Sequence, residues 1–174
     1  MSEVNSEGSL QIRHANKEDM SAVAEMIQEL ADFEKMPDGP KISAEDLVHD
    51  GFVRDPPAFR CNVAVDNSLK DKPVVGYALY FPTYSTWEGR SMMLEDLYVR
   101  PVVRRKGIGK KLFKSVAQEA IKNGSNRLDF HVLQWNPACT FYEKIGAVNL
   151  TKSEQWCYYR LTGEALQRCK LEAD

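Results

Sequence analysis

The residues best suited to chemistry lie between Ser91 and Lys114. Arg104-Arg105-Lys106-Gly107-Ile108-Gly109-Lys110 is a basic glycine loop between a predicted strand and a predicted helix. Seven basic residues (Arg100, Arg104, Arg105, Lys106, Lys110, Lys111, Lys114) and no acid fall within Arg100–Lys114. Glycines let backbone N–H groups approach an anion, and a helix start adds partial positive charge, so the pattern suits a pyrophosphate. It is also compatible with a solvated basic helix start whose glycines serve only the turn. Two nucleotide loops are excluded. A P-loop needs Gly where Arg104 stands and Ser or Thr where Lys111 stands. The dinucleotide fingerprint needs a small third residue where Leu112 stands. What remains is R-x-x-G-x-G opening a helix. Just upstream, Ser91–Val99 carries two carboxylates, Glu95 and Asp96, inside an apolar frame. On a regular strand they point to opposite faces.

The elements that must position these groups follow from periodicity. Leu10–Arg13 alternates as a short strand. Asp19 precedes a helical pattern (Ala22, Val23, Met26, Ile27, Leu30, Ala31) that runs to about Met36. Pro37–Pro40 breaks it. Ser43 with Asp46 reads as a capping pair for a short helix ending at Gly51. Phe59–Val65, Val74–Phe81 and Ser91–Val99 read as strands. Ile108, Leu112, Val116, Ala120 and Ile121 share one face of a helix that stops near Asn123-Gly124. Arg127–Leu133 reads as a strand, Asn136-Pro137 as a helix start, and Trp156–Leu161 as a last strand. The fold class is α/β, in one domain over residues 10–170, with a disordered tail over 1–9.

Composition narrows the function classes. The chain has 174 residues, 43% hydrophobic and 28% charged, with a net charge of −2. That near balance argues against a general nucleic-acid coat. The longest apolar stretch, Pro73–Phe81, is too short to cross a membrane. The first eight residues are polar and acidic, without a secretory signal's apolar core. Cys61, Cys139, Cys157 and Cys169 form no CxxC pair, and His14, His49 and His131 are scattered, so no metal is expected. The predicted location is cytoplasmic, with reduced thiols.

R-x-x-G-x-G leading into a helix resembles the acetyl-CoA-binding loop of the GNAT N-acetyltransferases. Leu94-Glu95-Asp96-Leu97-Tyr98-Val99-Arg100-Pro101 resembles that family's fourth strand. Trp135-Asn136-Pro137 with Phe141-Tyr142-Glu143-Lys144-Ile145-Gly146-Ala147 resembles its last helix. Glu29–Lys35, Tyr84–Trp87, Leu94–Asp96 and Ser153–Trp156 are similar to words of the spermidine/spermine acetyltransferase group, in its thialysine acetyltransferase branch. The chain carries one residue fewer than those relatives between Trp135 and Tyr142. Polyamine-acetylating relatives carry Asp-Pro where this chain has Ser85-Thr86.

The resemblance implies a GNAT fold, a mixed central sheet flanked by helices. It implies acetyl transfer from acetyl-CoA to a small basic amine in a ternary complex, by a homodimer. An alkyl ammonium must lose a proton before it attacks, and Glu95 is the candidate base. Tyr142 is the candidate acid for the departing thiolate. Leu97, Tyr98, Val99, Arg104, Arg105, Lys106, Gly107, Ile108, Gly109, Lys110, Asn136 and Tyr142 are the expected acetyl-CoA contacts. Phe33, Glu34, Glu95, Asp96, Asp129, Phe130, His131, Glu154 and Trp156 are the expected amine contacts. Other readings stay open at this point. Glu95 or Asp96 could cap a loop or pair with Arg127, Asn136 could be a plain cap, and Tyr142 and Trp156 could be core aromatics. The acceptor could be a protein lysine or N-terminus, or the chain could bind CoA without turnover.

Overall fold

A computed structural model describes residues 10–71 and 73–169. The tail predicted over 1–9 lies outside them, as does Lys170. The chain divides after His131 into two compact units.

In the first unit, β1 (Leu10–His14), β2 (Arg60–Asp66), β3 (Val74–Ser85), β4 (Gly89–Val99) and β5 (Leu128–Phe130) form one sheet in that order. The first three pairings are antiparallel and β4–β5 is parallel. Helix α1 (Met20–Phe33) and short α2 (Ala44–Val48) precede β2, and α3 (Ile108–Lys122) links β4 to β5. Two apolar cores separate the faces. Met20, Val23 and Met26 of α1 pack with Val63, Tyr77 and Leu79. Ile108, Leu112, Val116 and Ala120 of α3 pack with Ala64, Val75, Ala78 and Leu94. The buried α3 stripe repeats every four residues. Ile121, expected on that face, falls off it and is 74% exposed. Gly76 lets β4 and α3 sit close: a Cβ there would lie 2.8 Å from the Tyr98 carbonyl oxygen and 3.2 Å from the Leu112 side chain.

The ends of the elements show what local chemistry decided. Ser43 and Asp46 form the expected reciprocal cap of α2. Asp19 does not cap α1. Its carboxylate receives the Asn16 N–H and pairs with Arg13 at 2.6 Å, while Asn16 caps a turn over Lys17–Asp19. Helix α1 stops at Phe33, and Lys35 takes a left-handed φ of 62°. Strand β5 keeps only Leu128–Phe130 of the predicted Arg127–Leu133.

The second unit holds α4 (Ala138–Lys144), α5 (Leu150–Ser153) and α6 (Gly163–Gln167). The strand expected over Trp156–Leu161 is a correction: this segment is irregular. Gln155 has φ 61°, which breaks the extended run, and Trp156, Tyr158, Tyr159 and Leu161 are all exposed. Alternating aromatics form a strand only where a neighbour covers one face and pairs the backbone. Among the described residues, no helix is long and apolar enough to cross a membrane.

Candidate active site

The R-x-x-G-x-G loop has a backbone shape that suits an anion. Arg105 and Gly107 both adopt left-handed backbone, φ 65° and 74°, and Gly107 opens α3. Alternating backbone hand gathers N–H groups into a concavity. Lys111 N–H is the first to bond back into the helix, to the Gly107 carbonyl at 3.0 Å. The N–H groups of Ile108, Gly109 and Lys110 therefore point out of the helix end. The first turn of α3 has no acid, and a Cβ on Gly107 would meet nothing within 4 Å. Arg100 leaves the basic set. It is buried and pairs with Glu25 at 3.0 Å and Glu29 at 3.6 Å on α1.

Beside the loop, β4 presents an edge. Arg100 N–H donates to the Val75 carbonyl on β3 at 2.9 Å. Strand alternation then turns the backbone groups of Val99 and Leu97 toward the β5 side. The register with β5 ends at Leu94↔Phe130, so β5 does not pair that stretch. Arg104 reaches back to it: its Nε–H donates to the Val99 carbonyl at 2.7 Å. Its guanidinium lies 5.3 Å from the Tyr98 ring centre and 5.7 Å from the Phe33 ring centre. The side chains of Leu97 and Val99 pack into the α3-side core, and Tyr98 into the α1-side core. The Tyr98 hydroxyl donates to Glu29 at 3.1 Å.

The carboxylates gather around a bulge. Leu79 faces Asp96 and Tyr80 faces Leu94, so Glu95 has no partner on β3 and is exposed. Burial pushes Asp96 up to about 6, against the Tyr77 hydroxyl that donates to it at 2.9 Å; Glu95 and Glu34 add to the rise. Burial likewise raises Glu34, just past the end of α1. Glu34, Glu95 and Asp96 thus act on one locality, with Phe33 one residue before Glu34. Such a set suits a cation.

Most of the other expected contacts have local partners. Asp129 pairs with Arg127 at 2.8 Å, and Arg127 pairs with Glu88 rather than with Glu95 or Asp96. Phe130 packs edge-on against Phe113. His131 is exposed and closes the first unit. In the second unit, Pro137 rather than Asn136 flanks α4, yet the Asn136 carbonyl oxygen Oδ1 still accepts the Ala138 N–H at 2.9 Å. The Tyr142 ring stacks edge-on with Phe141, and burial, then Cys139, pushes its phenol up to about 12. Trp156 Nε1–H donates to Glu154 at 2.7 Å. Two residues carried no functional role in the sequence reading: Tyr77, and Glu29, which figured only as part of a resembling stretch. Their partners, Asp96 and Tyr98, become visible only once the β3–β4 register and the α1 packing are known.

Residues 23–147 match the acetyltransferase (GNAT) family. The chain belongs to the GNAT family. It is 44% identical over 161 residues to thialysine N-epsilon-acetyltransferase of Bos taurus, covering 90% of this chain and 94% of that one. It is 43% identical over 164 residues to the Mus musculus protein of the same name, covering 91% and 96%. A solved integron cassette protein from the mobile metagenome of V. cholerae superposes with a TM-score of 0.72 at 28% identity, over 92% of this chain and 96% of that one.

Proposed function

We propose that this protein transfers the acetyl group of acetyl-CoA to the primary amine of a small basic substrate, thialysine- or lysine-like, and to polyamines more weakly. The observation that carries this reading is the β4 bulge. It takes Glu95 out of register beside Asp96 and Glu34, on the strand that leads into the glycine loop. The loop fits acetyl-CoA: left-handed Arg105 and Gly107, outward N–H groups and an uncluttered surface above Gly107 would hold the pyrophosphate. The Leu97 and Val99 N–H groups would hold the pantetheine arm and acetyl carbonyl, as an oxyanion hole does. Asn136 would add a further contact, as the resemblance implies. When bound, acetyl-CoA supplies an activated acetyl thioester.

The residues of the chain divide the proton work. The substrate ammonium settles among Glu34, Glu95 and Asp96. Glu95, exposed on the bulge, takes its proton directly or through one water. The Tyr142 hydroxyl, its pKa pushed well above neutrality, keeps its proton for the departing sulfur. Glu154 and Trp156, joined by their hydrogen bond, form a candidate cation–π and carboxylate contact for a second charge. The homodimer implied by the resemblance and the cytoplasmic location expected from the sequence belong to the same reading. Free-thiol release from acetyl-CoA, measured with thialysine, lysine, spermidine, spermine, putrescine and a lysine peptide, tests it. Release with the small amines and not the peptide is expected. Release only with the peptide, or with no acceptor, overturns it.

A further inference from the structure

The reading of Glu95 as base leaves open what fixes a bulge at this residue. A bulge has no side-chain interlock of its own, and a slip by one residue turns every following side chain to the other face. Here a slip would set Glu95 opposite Leu79 and return it to the ladder. Asp96 is the first residue back in register, opposite Leu79. Tyr77 lies two residues from Leu79 on the same face of β3, diagonal to Asp96 and within a long side chain's reach. The Tyr77 side chain is fully buried in the α1-side core, and its hydroxyl donates to Asp96 Oδ2 at 2.9 Å. A slipped register would carry the acceptor away and strand that hydroxyl in an apolar core. A buried unpaired hydroxyl is costly, so the bond selects one register.

We infer that Tyr77 and Asp96 are positioning residues: their hydrogen bond pins the β4 bulge and so holds Glu95 outward at the acceptor amine. The inference rests on the proposed role of Glu95. In this pin Asp96 acts through the geometry of its oxygen, while its charge serves the amine. The groups that act on it are Tyr77 from β3, Glu34 beyond α1 and Glu95 on its own strand. A neutral acceptor of the same shape keeps a weaker pin, since a tyrosine hydroxyl also donates to an amide oxygen.

The test is steady-state kinetics on the full chain, with thialysine as acceptor. Tyr77→Phe should lower kcat about tenfold, with the amine KM within about twofold of the parent. Asp96→Ala should lower kcat about 30-fold or more, and Asp96→Asn should recover most of that loss. Glu95→Gln should lower kcat steeply, and adding Tyr77→Phe to it should cost nothing further, because the pin acts through Glu95. A Tyr77→Phe kcat within about twofold of the parent overturns the inference. So does a loss that appears in the amine KM, or one that multiplies with Glu95→Gln. If Glu95→Gln itself keeps parental turnover, the role of Glu95 as base falls first. If Asp96→Ala fails to fold, the Tyr77→Phe and Asp96→Asn measurements decide alone.

Discussion

Arg104 Nε donates to the Val99 carbonyl at 2.7 Å, from the glycine loop to the strand edge beside it. The same guanidinium lies against the rings of Tyr98 and Phe33. Its planar fork therefore ties the loop, β4 and the end of α1 together, which a point charge cannot do. Arg104→Ala should raise the acetyl-CoA KM about tenfold, the scale of one charge-assisted hydrogen bond. Arg104→Lys keeps the charge and loses the fork, so its KM should match that of Arg104→Ala. A parental KM in the lysine variant would show that only charge matters.

Gly107 has φ 74°, where an L residue is strained by about 1–2 kcal/mol. The space around it is open, so a small side chain fits sterically. Gly107→Ala should fold with a melting temperature lower by several degrees. Its methyl group would project where a bound pyrophosphate approaches the backbone. The acetyl-CoA KM should rise steeply while the amine KM stays near parental. Unchanged acetyl-CoA affinity in the folded variant would remove the loop from the site.

The Tyr142 phenol is pushed up to about 12, first by burial and then by Cys139, so it stays protonated through the neutral range. Tyr142→Phe keeps the ring and the packing against Phe141. Turnover should fall roughly 10²- to 10⁴-fold with little change in acetyl-CoA affinity. Turnover within a few-fold of the parent would make Tyr142 a packing residue.

Asp96 gives the fold a pH dependence. Its pKa rises on folding from 3.8 to about 6, chiefly by burial. The folded state therefore holds the proton more tightly than the unfolded chain. That stabilisation is complete below about pH 4 and is lost as pH rises through about 6, for at most about 3 kcal/mol. Asp96→Asn removes the cost of burying the charge. Its melting temperature should exceed the parent's at pH 7.5, and the gain should vanish near pH 4. A gain equal at both values would show that Asp96 does not carry this shift.

The sequence disclosed most of this architecture where local rules act alone. The Ser43–Asp46 cap, the α1 and α3 stripes and the strand–loop–helix run around Arg104 needed only periodicity, capping and glycine conformations. It did not disclose what depends on register or on packing partners. Glu95 and Asp96 were readable as neighbours, while the bulge depends on how β3 pairs with β4. Arg100 read as one more cation of the loop, yet α1 claims it through Glu25 and Glu29. Trp156–Leu161 alternates like a strand, and alternation alone does not supply a neighbour to pair with.

Ser85 bears on which amine is preferred. A carboxylate at this position would be expected to draw a distal ammonium of spermidine, for about tenfold in specificity. The structure changes that expectation. Ser85 is buried, and its hydroxyl oxygen accepts the Trp87 and Glu88 N–H groups, both at 3.2 Å, inside the β3–β4 hairpin. An aspartate here would accept the same two donors, as aspartates do in turns. Its charge would be largely spent on the turn rather than offered to a substrate. The parent should favour thialysine over spermidine in kcat/KM, because Ser85 supplies no anion for the second ammonium. Ser85→Asp should move the ratio of the two efficiencies by no more than about threefold, well short of the value for a fully offered charge. A tenfold swing toward spermidine would mean that the aspartate leaves the turn and meets the amine. A parent that already prefers spermidine would move the protein to the polyamine-acetylating side of its family.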